Sequence, residues 1–179
     1  MKQTIGFIEF RSIAKGVEAT DVMLKSGNVS LIYSNVLCPG KFLVMLSGDV
    51  SAVENAITVG ANFDPTTYLD SDVIANVHSS LIPAITATTP VVQHDALGII
   101  ETANICASII AADTAAKTSK IDLLEIRLAR GMGGKGYVSL CGDISAVNSA
   151  VQKASVEVGK RGMLITTSVI ASPHKDLVF

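Results

Sequence analysis

The sequence predicts an α+β protein made of two tandem copies of a ferredoxin-like βαββαβ unit. Three observations predict it. The chain repeats itself at an offset of 92 residues, each copy alternates β-rich runs with segments of helical period, and the composition is 49% hydrophobic but only 17% charged. Soluble domains usually carry about 25% charged residues. The surplus apolar surface is therefore expected to lie in contacts between subunits.

The elements follow in order along the first copy. The run "TIGFIEF" is rich in β-branched and aromatic residues and reads as a strand. A helix is expected from about Ser12, whose hydroxyl can serve as N-cap. Ile13, Val17, Thr20 and Leu24 recur at helical spacing, and Gly27 with Asn28 supplies the stop. The runs "VSLIYSNVL" and "KFLVMLSG" read as paired strands joined by the turn "CPG". A second helix follows "GD", with Ser51 and Glu54 spaced as a capping box and Gly60 at its end. A last strand is expected to reach "VIANVH". This order places helices on one face of an antiparallel-containing sheet.

The second copy matches the first at an ordered series of positions. Gly6, Glu9, Ile13, Ala19, Asp21 and Lys25 meet Gly98, Glu101, Ile105, Ala111, Asp113 and Lys117. With small insertions "GDVSAVENAI" then faces "GDISAVNSAV", and "VIANVH" faces "VIASPH". Two homologous domains are expected at 1–92 and 93–179, with "SSLIPAITATTPVVQHD" carrying the end of the first and the linker.

Composition also excludes function classes. A net charge of −2 and an isoelectric point near 5.9 leave no clustered excess of Lys and Arg for nucleic acid. The mean hydropathy of +0.46 is high, yet no apolar run approaches the ~18 residues of a membrane span. The N-terminal "MKQTIGF" lacks the charged and apolar regions of a secretory signal, so a cytoplasmic location is expected. Cys38, Cys106 and Cys141 are odd in number and widely spaced, which fits reduced thiols better than a disulfide framework. No catalytic motif, dinucleotide fingerprint or phosphate loop stands out, and "RGMGGKGY" lacks the spacing of the last of these. No enzymatic activity is expected.

These repeated texts, "IGFIE" and "LGIIE", "DVMLKSGNV" and "DTAAKTSKI", "GDVSAV" and "GDISAV", "VIANVH" and "VIASPH", resemble the shell proteins of bacterial microcompartments in their tandem-domain form. The resemblance covers nearly the whole chain. It implies two BMC domains with short C-terminal elements, and a homotrimer of pseudohexameric shape, since single-domain members form hexagons. It further implies a place in a microcompartment shell in the cytoplasm, tiled among other shell proteins. Heterologous contacts that close into a ring agree with such a trimer.

Within the family, "LCPGKF" resembles the first-copy loop of tandem shell proteins from propanediol-utilisation compartments, in which the loop cysteine binds an iron–sulfur cluster at the trimer's centre. The resemblance places Cys38 as metal and cofactor ligand. It implies one cluster per trimer, of the 4Fe–4S type, with electron transport across the shell and a redox partner enzyme. The second copy has Arg130 where the first has Cys38, so Cys38, Pro39, Gly40 and Lys41 on one side, and Arg130, Gly131, Met132, Gly133 and Gly134 on the other, form the expected central loops.

The residues themselves leave more than one reading open. Pro39 fixes its own φ and Gly40 permits a tight reversal, so the thiol is expected on a stiff turn. Lys41 favours a thiolate if the fold brings its ammonium near, and soft thiolates suit iron–sulfur clusters or zinc with an open position. Clusters usually take four cysteines, and a threefold axis supplies three. An ordinary surface thiol, a pore for small metabolites without a cluster, and a duplicated-domain soluble redox enzyme or sensor are the alternatives. Cys106 and Cys141 read as small packed residues. Glu9 with Glu101, and His78 with His174, are repeat pairs expected in structural roles. Lys25 and Lys117 read as solvated helix-end cations, or, by resemblance, as lateral contacts between shell tiles. The family's "PRPH" edge text appears here as "ASPH", with Ser172 where arginine is usual, so edge contacts are expected to be weaker or different.

Overall fold

A computed structural model describes residues 3–90, 95–129 and 131–177. The chain divides into two compact units, Met1–Val77 and His78–Phe179. In the first, β1 (Thr4–Phe10), α1 (Ile13–Lys25), β2 (Val29–Leu37), β3 (Lys41–Gly48), α2 (Val50–Phe63) and β4 (Tyr68–Ile74) follow the expected order. The second opens with a short helix α3 (Leu81–Ile85), then repeats the pattern as β5 (Ala96–Thr102), α4 (Ile105–Thr118), β6 (Asp122–Leu128), β7 (Gly136–Gly142), α5 (Ile144–Lys160) and β8 (Leu164–Ile170). The sheets have orders β2-β3-β1-β4 and β6-β7-β5-β8, and every pairing is antiparallel.

Local chemistry sets the helix starts. The Ser12 hydroxyl accepts the Lys15 N–H at 3.3 Å, capping α1 as expected. Asn104 does the same for α4, accepting from Ala107 N–H at 2.8 Å. For α2 the expectation needs correction: the N-cap is Asp49, one residue after the glycine of "GD", and helix begins at Val50 rather than being boxed by Ser51 and Glu54. Gly60 does not end α2 either, because the helix runs on to Phe63. Its missing side chain serves packing, since a Cβ there would collide with Met23 of α1.

Alternation along β1 builds the core of the first unit. Ile8 and Phe10 point toward α1 and α2, where Ala19, Met23, Val53, Ala56 and Ile57 meet Phe42, Val44 and Leu46 of β3. Ile5, Phe7 and Glu9 occupy the other face and are also fully buried.

Two boundaries differ from expectation. The last strand of the first unit is "YLDSDVI" and stops at Ile74, before Asn76 takes a positive φ of 59°. Residues 79–90, read from sequence as domain end and linker, pack with the second unit instead: α3 lies against α4 and β6. His78 N–H donates to the Asp113 carboxylate of α4 at 2.8 Å.

Candidate functional site

The β2–β3 hairpin positions Cys38. Its register runs Val36 opposite Phe42 and Leu37 opposite Lys41, leaving Cys38, Pro39 and Gly40 as the turn. Gly40 N–H donates to the Leu37 carbonyl at 2.9 Å, which closes the reversal. The Cys38–Pro39 peptide is cis and Gly40 has φ +82°, a conformation that favours glycine. Cys38 is thereby held at the hairpin tip, exposed to solvent.

Lys41 anchors the far side of the turn. Its ammonium reaches back to Glu9 Oε1 on the central strand at 2.6 Å. Glu9 is fully buried while the lysine side chain is 20% exposed, so the pair ties the beginning of β3 to the middle of the sheet. The cation is engaged by a carboxylate, and its work is to hold the loop's exit. Glu9 thus has the structural role expected of it, through an ion pair that its distance from Lys41 in sequence concealed. Its second oxygen, Oε2, is buried with no hydrogen-bond partner.

The second hairpin, β6–β7, is built differently. Arg130 lies outside the described residues. Gly131, Gly133 and Gly134 adopt φ of +73°, +61° and +92°, and Lys135 N–H donates to the Met132 carbonyl at 3.2 Å. A Cβ on Gly131 or Gly133 would meet nothing within 4 Å, so these glycines answer to backbone conformation rather than crowding within the chain.

Below this loop lies a cluster that sequence reasoning missed. Glu125 accepts from Arg127 Nε and from the Tyr137 hydroxyl, each at 2.8 Å, and the guanidinium lies 5.3 Å from the Tyr137 ring centroid. Burial, then the hydrogen bond to Glu125, pushes the Tyr137 phenol up to about 12. The signal was available: Arg127 and Tyr137 are directly opposite in the ladder, and Glu125 is two residues away on the same strand.

The other cysteines occupy packed positions. Cys106 is fully buried on α4. Cys141 is buried on β7, and burial followed by the charge of Asp122 pushes its thiol up to about 12, the opposite of an activated cysteine. Among the described residues, no three His, Cys, Asp or Glu side chains come together to hold a metal ion within one chain. Lys25 and Lys117 pair with Asp21 and Asp113 one helical turn back, at 2.6 and 2.5 Å. Among the described residues, no helix is long and apolar enough to cross a membrane.

Two sheet-and-helix units of one topology, with a thiol-tipped hairpin in the first and a glycine-rich hairpin in the second, define a duplicated α+β protein whose distinctive chemistry lies in its hairpin loops. The BMC domain family matches the chain twice, over residues 4–77 and 96–173, and the chain belongs to that family. The bacterial microcompartment shell protein PduT of Citrobacter freundii is 48% identical over 177 residues, spanning 99% of this chain and 96% of that one. A crystal structure of a microcompartment protein from Desulfitobacterium hafniense superposes with a TM-score of 0.89 at 45% identity, covering 99% of this chain and 98% of the other. The fused permuted hexameric shell protein MSM0275 shares the fold alone, with a TM-score of 0.67 and 20% identity over 87% of this chain and 81% of that one. The protein is accordingly a structural component of a bacterial microcompartment shell, similar along its whole length to PduT.

Proposed function

We propose that the protein is a trimeric facet tile that holds one iron–sulfur cluster, 4Fe–4S by resemblance, on Cys38 from each of three chains. The observation that carries this reading is the exposed Cys38 thiol at the tip of a turn closed by Gly40 and anchored by the Lys41–Glu9 pair. The donor chemistry fits. A thiolate is a soft ligand suited to iron–sulfur clusters, and rotational symmetry turns one sulfur per chain into three around an axis. That is one short of the four that usually hold such a cluster, so one position is left for water, a small ligand or a partner protein. When bound, the cluster supplies one-electron transfer, and exchange of electrons across the shell with a redox partner enzyme is the task we assign to it.

The chain's own residues do the rest. Gly40 and the glycines of the 131–134 turn let backbone approach the axis without side-chain bulk, while Lys41 and Glu9 keep the Cys38 turn from shifting. Lys25 and Lys117, at the ends of equivalent helices, make lateral contacts to other shell proteins.

Anaerobic purification with iron and sulfide analysis tests the reading. The expected result is brown protein carrying one cluster per three chains, and a Cys38→Ser variant that is colourless yet retains the wild-type oligomeric mass. Colour surviving that substitution removes Cys38 as ligand. Zinc in place of iron, or colourless wild type after reconstitution together with an open central channel, overturns the cluster in favour of a zinc site or a metabolite pore.

A further inference from the structure

We infer that β8 pairs with β8 of a second copy of this chain, antiparallel and about a two-fold axis centred on Thr167. The strand ends its sheet, with β5 on one side and, among the described residues, no strand on the other. Its sequence, LITTSVI, carries no charge and no proline, and Ile165 to Ser168 are exposed. An open edge of this kind is a template on which another strand can add.

The first unit closes the equivalent edge with its own side chains. β4 also ends its sheet, but Asp70 Oδ1 accepts the Ser71 N–H at 2.9 Å and Asp72 Oδ1 accepts the Val73 N–H at 2.7 Å. An N–H engaged in this way points away from β1, so the two carboxylates occupy the donors that an added strand would use. In the shared register Asp70 and Asp72 lie opposite Glu9 and Phe7, and Thr166 and Ser168 lie opposite the repeats of those residues, Glu101 and Ile99. Thr167 and Val169 therefore stand where Ser71 and Val73 stand in the first unit. Among the described residues no side chain caps either N–H, and the edge of β8 is left open.

The order of residue types suits this edge to its own copy. Read in either direction, LITTSVI runs from aliphatic residues through hydroxyls to aliphatic residues again. Antiparallel pairing centred on Thr167 sets Leu164 opposite Ile170, Ile165 opposite Val169 and Thr166 opposite Ser168 of the other copy. Aliphatic meets aliphatic and hydroxyl meets hydroxyl, the cross-strand pairs that stabilise a sheet. The outward residues Ile165, Thr167 and Val169 then meet as pairs that exchange both backbone hydrogen bonds. The same operation on β4, centred on Ser71, would set Asp70 against Asp72 of the other copy, like charges directly opposite. A second copy is thus the occupant that β8 fits and β4 refuses. The contact is isologous, one surface meeting itself, so it joins two copies and stops there, apart from the heterologous contacts by which a ring closes. It requires neither the cluster nor the trimer proposed above.

Sedimentation velocity over a concentration series tests this on wild type, Thr167→Lys, Thr167→Glu and an equimolar mixture of the two variants, with circular dichroism confirming that each remains folded. Thr167 is exposed, so the fold is expected to persist. The wild type is expected to associate beyond its smallest oligomer. Each variant sets its new charge against itself across the two-fold axis and should weaken that step by about tenfold or more. The mixture, which sets lysine against glutamate, should recover it. Variants that associate as the wild type does, a mixture no stronger than its components, or a wild type that stays at its smallest oligomer each overturn the pairing. Loss of the smallest oligomer itself in either variant also overturns it, by placing β8 in the contact that builds that oligomer. As a second measurement, Thr167→Cys in the Cys38→Ser protein should give disulfide-linked pairs of chains under mild oxidation, since residues opposite one another in an antiparallel ladder lie within disulfide reach. Ser71→Cys in the same background should not, and equal yields from the two positions overturn the inference.

Discussion

Glu9 and Lys41 show how much a single side-chain pair can decide about a loop. Glu9 has no exposure and one of its oxygens has no partner, so the carboxylate depends on the lysine for its compensation. The lysine is 20% exposed and can turn toward water if its partner is lost. The two truncations are therefore unequal. Lys41→Met strands a buried charge and should destabilise by about 3 kcal/mol or more, the scale for breaking a buried ion pair. Glu9→Gln should cost less, because it leaves a cation that can be rehydrated. Chemical denaturation of both variants checks the order, and equal losses would mean that the pair is solvated. This pairing was not legible in the text, since 32 residues separate the partners and only the antiparallel register brings them together. Cys38 was legible because Pro39 and Gly40 announce a turn whatever the tertiary context.

Elements were legible where local chemistry sets them and obscure where packing does. The Ser12 cap, the helical period of α1 and the alternation in β1 could be read directly, and all are present. Gly60 misled because glycine usually ends a helix, whereas here it lets α2 approach Met23 of α1. The short α3 was hidden by Pro83 and by serines and threonines that resemble a linker, although it is the cover of α4 and β6. Gly16 carries the same lesson into a measurement. In an open helix, alanine is worth up to about 1 kcal/mol over glycine, yet a Cβ at Gly16 would lie 2.6 Å from the Phe42 ring, which is itself buried. Gly16→Ala should accordingly destabilise by about 1–3 kcal/mol, the cost of overpacking. Gly159→Ala in α5, where the added methyl meets nothing within 4 Å, should be neutral to stabilising. Thermal melts of the two variants moving in the same direction would contradict this account of α1 against β3.

At the scale of the whole molecule, duplication accounts for the apolar surplus that the composition announced. A repeated chain carries every surface twice, and Ile13, Val17, Leu31 and Val36 are exposed in the first unit while their repeats Ile105, Ile109, Leu123 and Leu128 are buried in the second, where α3 packs on α4 and β6. On the proposed tiling, the same comparison separates candidates for contacts that build one tile from candidates for contacts that join tiles. Lys117 keeps 36% exposure beside a buried Asp113 that also holds the His78 N–H, so this position remains accessible after its helix has been covered. Lys25, its repeat, is 73% exposed and pairs with an exposed Asp21, an arrangement worth at most about 1 kcal/mol to the fold. Replacing Lys117 would leave Asp113 short of its countercharge and confuse assembly with stability. Lys25→Ala avoids that confusion. It should leave the melting temperature and the oligomeric mass unchanged while reducing any extended sheets that the purified wild type forms, as seen by electron microscopy. Sheets of wild-type extent from the Lys25→Ala protein would assign the lateral contact to other residues, and a loss of oligomeric mass would place Lys25 inside the tile rather than at its edge.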